Sequence, residues 1–489
     1  MIALVEVPII DALRDYSARQ TTRFHMPGHK GGNEAGKEII SLLGRAPFLA
    51  DVTNIPGMDD LHQPSGIIHE AQKLAAQAFG ADRTYFLING SSCGLMALLM
   101  ATCKPGEEIL LPRNIHRSIL SGVILSGAVP VFFRPRYDAE LFLPLAVDPD
   151  TIRKALERHP DARAVLLVNP TYHGIISNVR EIADIVHSYD IPLLVDEAHG
   201  PHLGFHEDLP ERSLDMGADA VVQGTHKVLS SFTQASMLHL KGYRVNRTKI
   251  EQSLKFLQST SSSYLLLASL DAARAEMTVR GRELMNTALR NAHELRTQID
   301  AIPGVHCIDE QWVQDRGAIG LDLTKVTITV KGLGVTGLWA ENYLRQKYDL
   351  QVEMADIVNL LVIVSAANNE TDMSRLVEGL QEIAALNNPA DLLRTYLDRI
   401  KEHMCAPETK MICTPREAFF RPCEPVALNA GSGRVAAETV ACYPPGIPVL
   451  CPGEEITDEI VDFLKLGLEL GIHYQGQQDP LLRSLRVLA

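Results

Sequence analysis

The chain has 489 residues, of which 46% are hydrophobic and 22% charged, and its 46 Lys+Arg against 60 Asp+Glu give a formal net charge of -14. This composition is typical of a globular protein and excludes disordered, collagen-like and disulfide-scaffold chains. The excess of acidic residues argues against nucleic acid as the main partner.

The first residues of the chain and its cysteines predict a cytoplasmic protein without a membrane span. Glu6 and Asp11 lie near the start and no basic region precedes them, so the segment does not resemble a secretory signal. The uncharged apolar run at residues 118–133 is interrupted by glycine and proline and is shorter than the ~18 to 20 residues of a membrane span. The 8 cysteines include no CxxC pair, which favours a reducing compartment.

Short apolar runs alternate with helix-like stretches between residues 85 and 240. Such runs, bounded by Gly, Pro, Asn and Asp, are typical of fully buried strands. The amphipathic stretches between them, such as 150–158 and 179–189, predict a mainly parallel sheet with helices on both faces, and therefore a large α/β domain. The predicted strands are 85–88, 108–112, 129–133, 164–168, 191–195, 219–223 and 235–240.

The second half of the chain predicts two further units. A helical stretch at 259–302 leads into strand-like runs that end at 359–366, followed by a helix at 373–386 and a linker at 387–389. A Pro-rich sequence, YPPGIPVLCPGEE, lies at 443–455. The predicted division is an amino-terminal segment 1–50, a large domain 51–285, a small α/β domain 286–388 and a carboxyl-terminal domain 389–489.

Polar residues follow several predicted strands, at the sheet edge where α/β proteins bind ligands. The sequence NGSSCG at 89–94 lies between a strand and an apolar helix. Small residues at a helix start leave backbone N–H groups and hydroxyls free to hold a phosphate. An ordinary serine helix cap is the alternative interpretation of the same residues.

Asp196 and Lys227 follow two further strands. A carboxylate at the end of a buried strand calls for a cation, although Asp196 could instead cap a turn. Lys227, in GTHKVLSS, could be desolvated enough to act as an amine nucleophile, although most lysines are solvated. A phosphate at 91–93, a ring nitrogen at Asp196 and an aldehyde bound by Lys227 together describe pyridoxal phosphate, with His116 stacked on the ring.

These residues, in this order, resemble the Orn/Lys/Arg decarboxylase family of pyridoxal-phosphate enzymes. The resemblance implies a PLP-dependent transferase fold of the aspartate-aminotransferase type, in which 51–285 binds the cofactor and 389–489 is an α+β decarboxylase domain. It implies Lys227 and His116 as catalytic residues. The motifs that carry it are RFHMPGHKGG at 23–32, GMDDLH at 57–62, NGSSCG, RNIHRS at 113–118, DEAHGPHLGFH at 196–206, THK at 225–227 and YPPGIPVLCPGEE. The implied cofactor site consists of Ser91, Ser92, Cys93, His116, Asp196, Ala198, His226 and Lys227.

The implied reaction is decarboxylation of a small cationic amino acid. Arginine, giving agmatine for polyamine synthesis, is the expected substrate, with lysine and ornithine as alternatives. Substrate choice requires a carboxylate that meets the guanidinium or ammonium group. The candidates are Glu438, Glu454, Glu455, Asp59 and Asp60.

The sequence departs from the family pattern at two positions where a hydroxyl residue is common, Gly224 and Cys93, which puts phosphate contacts in doubt. Because the HMPGHK motif begins by residue 25, we expect the short form, without the extra amino-terminal domain of long members. The fold commonly forms its active site at a dimer interface. A homodimer or higher homo-oligomer is therefore expected, with residues 259–263 near the partner's cofactor.

Two other readings stay open. Within pyridoxal-phosphate enzymes, an aminotransferase or a carbon–sulfur lyase would use the same cofactor residues. From another class, a metallohydrolase is suggested by histidines at helical spacing, but Gly and Pro break the helix through both sets, so no metal is expected. These histidines are His199, His202 and His206, and His25 and His29.

Overall fold

The computed structural model describes residues 5–19, 21–386, 409–443 and 446–489. Its strands are β1 Arg83–Leu87, β2 Glu108–Pro112, β3 Val129–Phe133, β4 Tyr137–Asp138, β5 Leu143–Pro144, β6 Val165–Val168, β7 Ile175–Ile176, β8 Leu193–Asp196, β9 Ala220–Gln223, β10 Ser236–Leu240, β11 His306–Cys307, β12 Gly320–Leu321, β13 Lys325–Thr329, β14 Met354–Ala355, β15 Asn359–Ile363, β16 Cys423–Ala427, β17 Val440–Tyr443, β18 Ile447–Leu450, β19 His473–Gln475 and β20 Ser484–Leu488. Its helices are α1 Pro8–Ala18, α2 Lys37–Leu43, α3 Ala46–Ala50, α4 Ile67–Phe79, α5 Gly90–Thr102, α6 Arg117–Ser126, α7 Pro149–Arg158, α8 Val179–His187, α9 Thr225–Val228, α10 Arg247–Leu257, α11 Tyr264–Asp300, α12 Glu310–Gln314, α13 Gly337–Tyr348, α14 Glu370–Ala385, α15 Pro415–Phe420 and α16 Asp458–Glu469.

A 7-stranded sheet in the order β1-β10-β9-β8-β6-β2-β3 forms the centre of the fold. β10 pairs antiparallel with both of its neighbours, whereas the pairs among β9, β8, β6, β2 and β3 are parallel. The mainly parallel α/β sheet predicted from the sequence is confirmed, and each of its strands lies on a predicted apolar run. All strands except β10 therefore end at the same edge of the sheet.

Helices cover both faces of this sheet because its strands are apolar on both sides. On one face, Leu98 of α5 packs with Ile119 of α6 and Leu254 of α10 against the sheet. On the other face, α1, α4 and α11 bury one apolar cluster, and α7 and α8 bury a second. Helix α5 has apolar residues on all sides, because it lies between the sheet and its neighbouring helices.

The long helix α11 connects the central sheet to a smaller antiparallel sheet of order β11-β13-β15-β14. Leu267 and Leu270 in its first half join the core of the central sheet. Leu295 and Ile299 in its second half join the core of the smaller sheet, with α13 and α14. The predicted boundary between residues 285 and 286 falls within this helix, and the domain boundaries remain predictions.

The carboxyl-terminal part combines the sheet β18-β17-β19, the pair β16-β20 and helix α16. Leu450, Leu464 and Leu485 form its core, which also includes Ile357 and Val358 from the loop before β15. The predicted linker at 387–389, and positions 444 and 445 of the Pro-rich sequence, lie outside the described residues. In the described ranges, no helix has the length and apolar character that crossing a membrane requires.

A chain of buried polar side chains crosses β8, β9, β10 and β1. Glu197, directly after β8, accepts a hydrogen bond from Gln223 Nε2 at 2.6 Å and from Ser213 Oγ at 2.6 Å. Gln223 Oε1 lies 3.0 Å from His239 Nε2, and His239 Nδ1 lies 2.8 Å from Thr84 Oγ1. Since Gln223 donates through its amide nitrogen, its oxygen accepts from His239, which in turn accepts from Thr84. Every member is thereby satisfied without water.

Candidate active site

The carboxyl ends of the parallel strands open into a cleft of about 960 Å³. Its walls come from the loops of the central sheet, from residues 353–357 beside the smaller sheet, and from residues 442–449 of the carboxyl-terminal part. The cleft lies at the sheet edge where the sequence predicts a ligand. Six of the predicted site residues line it: Ser91, His116, Asp196, Ala198, His226 and Lys227.

Lys227 lies on α9, the short helix that directly follows β9. Its Nζ is 2.8 Å from His199 Nε2 and 5.9 Å from the centre of the Tyr172 ring. Burial lowers the pKa of Lys227, while the charges of Asp196 and Glu353 oppose that shift. A lowered pKa increases the neutral fraction of the amine, and the neutral amine is the form that attacks a carbonyl.

Asp196 is the last residue of β8 and is buried at the base of the cleft. Its Oδ1 accepts a hydrogen bond from the backbone N–H of Ala198 at 3.1 Å. Burial raises the pKa of Asp196, and the nearby charge of Lys227 opposes this. Because a buried carboxylate is costly without a cation, the site suits a ligand that carries a protonated nitrogen.

Helix α5 begins at the cleft without a side-chain cap. Its N-cap residue is Asn89, whose side chain makes no capping hydrogen bond, so the serine-cap interpretation is wrong. Ser91 lines the cleft, whereas Ser92 is half-buried outside it. The Cys93 side chain packs in the core, and burial raises its pKa to about 12. The Cys93 thiol therefore does not face the cleft.

Gly224 lies against the lysine three residues after it. A Cβ atom added at Gly224 would be 2.9 Å from the Ala198 carbonyl oxygen and 3.1 Å from Lys227 Cδ. A hydroxyl residue at this position would therefore displace the lysine chain or the loop after β8. His226 lines the cleft and donates from Nδ1 to the Ala235 carbonyl at 2.9 Å, and burial lowers its pKa.

His116 is the N-cap of α6 and lines the cleft. Its Nδ1 accepts from the backbone N–H of Ser118 at 3.2 Å, which leaves the hydrogen of the neutral ring on Nε2. Burial, with the charges of Lys227 and Arg117, lowers the pKa of His116 to about 4. The ring is therefore neutral at neutral pH. The Arg117 N–H donates to the Gly446 carbonyl at 3.2 Å, so the carboxyl-terminal part helps to hold this loop.

The structure adds four site residues that the sequence analysis did not assign to the cofactor site. His199 contacts Lys227, and the Tyr172 ring lies 4.1 Å from the His199 ring, centre to centre. The Tyr172 hydroxyl donates to Glu353 at 2.5 Å, and Lys325 Nζ is 3.4 Å from His199 Nδ1. The position of His199, three residues after Asp196 in the sequence DEAHGPHLGFH, was the signal that could have marked it as a site residue. Lys325 and Glu353 come from the smaller sheet, and no local motif marks them.

The five carboxylates considered for substrate choice do not line the cleft. Glu454 forms a buried ion pair with Arg113, and Glu438 accepts from the backbone N–H groups of residues 478 and 486. Asp59 accepts backbone hydrogen bonds at the start of α4, and Asp60 accepts one from the next turn. Glu455 pairs through its backbone with Val435. The carboxylates that line the cleft are Asp196, Glu353 and Asp356.

The histidines considered as metal ligands contact protein groups. His202 Nε2 lies 2.9 Å from Asp322 Oδ2 in the interior, and His25 Nε2 lies 2.6 Å from the Tyr16 hydroxyl. His29 pairs with Asp51 at 3.1 Å. Among the residues that the structure describes, no three His, Cys, Asp or Glu side chains are gathered as a metal site would need.

Comparison with solved structures identifies the fold. The constitutive lysine decarboxylase of E. coli superposes with a TM-score of 0.85 at 24% identity, covering 99% of this chain and 82% of that chain. At this level of identity the similarity shows the fold alone. The PLP-dependent transferase fold expected from the sequence is confirmed.

Comparison with known sequences identifies the family. The chain is 40% identical to the arginine decarboxylase of Bacillus subtilis over 484 residues, covering 99% of this chain and 98% of the relative. It is 39% identical to the arginine decarboxylase of Bacillus anthracis over 485 residues, covering 99% and 97%. The family model described as Orn/Lys/Arg decarboxylase, major domain, matches residues 7–372, and the model of the family's C-terminal domain matches residues 398–479. The chain therefore belongs to the Orn/Lys/Arg decarboxylase family.

Proposed function

We propose that the protein decarboxylates arginine to agmatine and carbon dioxide, with pyridoxal phosphate as cofactor. The observation that carries the proposal is that Lys227, Asp196 and His116 line one cleft in a chain that matches arginine decarboxylases over its whole length. An amine that can form a Schiff base and a carboxylate beside the ring nitrogen are groups that proteins use to bind this cofactor.

The residues of the cleft fit the cofactor's three chemical parts. The uncapped first turn of α5, with the Ser91 hydroxyl, offers donors to a phosphate. Asp196, with a single backbone donor at 3.1 Å, would lie beside the ring nitrogen and keep it protonated. Lys227 would bind the aldehyde, and His116 would cover the ring face. Ala198 and His226 line the same space.

The residues have distinct tasks in the reaction. When bound, pyridoxal phosphate supplies an electron sink for the electron pair left on the substrate Cα as carbon dioxide leaves. Asp196 stabilises the positive ring nitrogen that accepts this charge. Lys227 and His199, 2.8 Å apart, hold the proton that returns to Cα. Tyr172 and His116 shield these groups from water, which strengthens the electrostatic interactions among them.

Glu353 is the carboxylate that we assign to the substrate side chain. It lines the cleft and is otherwise exposed, and the Tyr172 hydroxyl holds one of its oxygens at 2.5 Å. Asp356, three residues on, already accepts from the N–H groups of Val358 and Asn359. An accessible carboxylate can bind a guanidinium through two hydrogen bonds, which favours arginine over the single ammonium of lysine or ornithine.

The proposal is tested by reconstituting the purified protein with pyridoxal phosphate. We expect visible absorption of bound cofactor and release of carbon dioxide, fastest with arginine when arginine, lysine and ornithine are supplied separately. Lys227→Ala should lose both signals, and Lys331→Ala, a lysine paired with Glu140 at 2.7 Å, should keep both. Bound cofactor without carbon dioxide release would indicate an aminotransferase or a carbon–sulfur lyase instead. Absence of cofactor binding would reopen the metallohydrolase alternative.

The role of Glu353 has its own test. Glu353→Gln should raise KM for arginine by about tenfold or more, because a hydrogen bond to a charged group contributes about 1.5 to 3 kcal/mol. Glu310→Gln, an exposed carboxamide variant on α12, should leave KM unchanged. An unchanged KM in Glu353→Gln would refute the assignment.

We further propose that the protein is a cytoplasmic homodimer or a higher homo-oligomer. The described cysteines are free thiols, which suits a reducing compartment. Residues 259–263 are exposed or half-exposed and do not line the cleft of their own chain, which suits a contact with a second protomer. Phe24 and Leu42 expose 94% and 77% of their surface, more than large apolar residues favour in a monomer. Light scattering of the purified protein would measure the assembly.

A further inference from the structure

Lys325 is a fully buried lysine beside the site. It lies in β13, and its backbone carbonyl accepts a hydrogen bond from Arg296 at 2.7 Å. Its Nζ lies 3.4 Å from His199 Nδ1. Lysine is rarely buried without a partner, and the other side chains of β13 are Val, Thr and Ile. The position of this amine therefore calls for an explanation.

The His199 ring lies between two amines. Nε2 is 2.8 Å from Lys227 Nζ, and Nδ1 is 3.4 Å from Lys325 Nζ. A neutral imidazole carries one N–H donor and one acceptor lone pair, while an ammonium group can only donate. If Lys325 is charged, it donates to Nδ1, and the hydrogen on Nε2 points at Lys227, which must then be neutral to accept it. If Lys227 is charged, the same argument makes Lys325 neutral.

The surroundings keep the charge on the amines rather than on the ring. Burial, together with Lys227 and Lys325, holds the pKa of His199 well below its usual range. Burial lowers the pKa of Lys325 to about 8, against the opposing charge of Asp322. The charged and titratable groups that face the two amines and the ring from the neighbouring elements are Asp196, Asp322, Glu353, Tyr172, His116, His202 and His226.

We propose that Lys325 is a positioning residue for Lys227, and that the shared His199 ring allows at most one of the two amines to be in the charged ammonium form. The proposal deepens the proposed function, because it rests on Lys227 as the lysine that binds the cofactor aldehyde. With the proton on Lys325, Lys227 is neutral and ready to attack a carbonyl. When Lys325 gives its proton to Nδ1, the Nε2 proton passes to Lys227, so that the three groups together neither gain nor lose a proton.

The test measures the reactivity of Lys227 without cofactor or substrate. Protein freed of cofactor is treated with acetic anhydride over a pH series, and acetylation at Lys227 is followed by mass spectrometry against a free amine, since only a neutral amine reacts. The variants are Lys325→Met, Lys325→Arg and the control Lys331→Met. Lys325→Gln serves as a second uncharged variant, and the circular dichroism spectrum reports whether each variant is folded.

We expect Lys325→Met and Lys325→Gln to raise the labelling midpoint of Lys227 by about one pH unit, which is about tenfold less labelling at a fixed pH below the midpoint. Lys325→Arg keeps a permanent charge and should leave the midpoint at or below that of the wild type. Lys331→Met should leave it unchanged. In a His199→Phe background, Lys325→Met should lose most of its effect.

Equal shifts in the Met and Arg variants, or no shift in either uncharged variant, would overturn the proposal. These results stand apart from the proposed function. A protein that fails to release carbon dioxide from arginine can still show the coupling between the two lysines, and an active decarboxylase can lack it.

Discussion

Arg113 and Glu454 form a buried ion pair with two hydrogen bonds, of 2.7 and 3.0 Å, between the loop after β2 and the carboxyl-terminal part. Arg113 also donates to the Val449 carbonyl at 2.9 Å, and the Cys451 N–H donates to Glu454 at 2.7 Å. Because Arg113 precedes His116 by three residues, this pair fixes one wall of the cleft.

Removing the charge of Glu454 should strongly destabilise the protein. In Glu454→Gln the buried guanidinium loses its counter-charge, so we expect the free energy of unfolding to fall by about 3 kcal/mol. Urea denaturation measures the change. The control is Glu424→Gln, whose partner Arg434 lies in an exposed pair, and it should cost under about 1 kcal/mol. Equal effects in both variants would contradict the importance of the buried pair.

Replacing Asp196 with Asn should lower kcat by at least about a hundredfold, which corresponds to about 2.7 kcal/mol. The neutral amide cannot stabilise a protonated ring nitrogen, whereas the shape of the site is kept. Carbon dioxide release at saturating arginine is compared with the bound cofactor content of each sample. Asp208→Asn, on an exposed part of the following loop, should behave as wild type. A kcat within about threefold of wild type would refute the role of Asp196.

The buried His239 should make the protein sensitive to acid. Burial, together with the charge of Arg212, lowers the pKa of His239 to about 3, whereas the pKa of a histidine in the unfolded chain is about 6.5. Between these values the unfolded state binds more protons than the folded state, so the free energy of unfolding falls as the pH falls through this window. Between about pH 6.5 and pH 4, the free energy of unfolding of His239→Gln should fall by roughly 2 to 3 kcal/mol less than that of the wild type. Urea midpoints at both pH values measure it.

The exposed His306 provides the control for this prediction. His306→Gln should leave the acid dependence as in the wild type, because the His306 side chain is exposed to solvent in the folded protein. If His239→Gln loses as much stability as the wild type on acidification, other groups must account for the acid sensitivity.

Gly94→Ala should disturb the start of α5. The added Cβ would lie 2.7 Å from Leu87 Cδ1 and 3.1 Å from Val222 Cγ1, so either these side chains or the first turns of the helix must shift. We expect a loss of about 1 to 3 kcal/mol in stability and weaker binding of pyridoxal phosphate, because the first-turn amides move with the helix. A cofactor titration and a thermal melt measure both effects. Gly36→Ala, where the nearest atom is 3.6 Å away, should change neither.

The central sheet was predictable because its strands are short apolar runs with polar residues after them. Both β2 and β3 coincide with the predicted ranges, while β8 begins two residues later than predicted and includes Asp196. The antiparallel direction of β10 was not predicted. Strand direction depends on the connection and the neighbouring strands, which the apolar pattern of one segment does not contain.

The site was predictable only where its residues lie within local motifs. Asp196 ends a strand, and Lys227 and His116 follow strands, so the sheet edge brings the three residues together. Glu353 reaches the same cleft, and Lys325 reaches His199 beside it, from the smaller sheet, and only the packing of the two sheets places them there. The candidate carboxylates failed for a physical reason, since Glu454 and Asp59 satisfy buried or backbone groups within the fold.

The polar chain from Glu197 to Thr84 also determines how β10 enters the sheet. His239 meets Gln223 and Thr84 on one face, while Leu238 and Leu240 pack on the opposite face against the cluster around α5. A slip of β10 by one residue would place the imidazole among these leucines and leave the buried Gln223 oxygen without a donor. Such a misaligned sheet is thus penalised twice, and the strand that breaks the parallel pattern has only one favourable alignment.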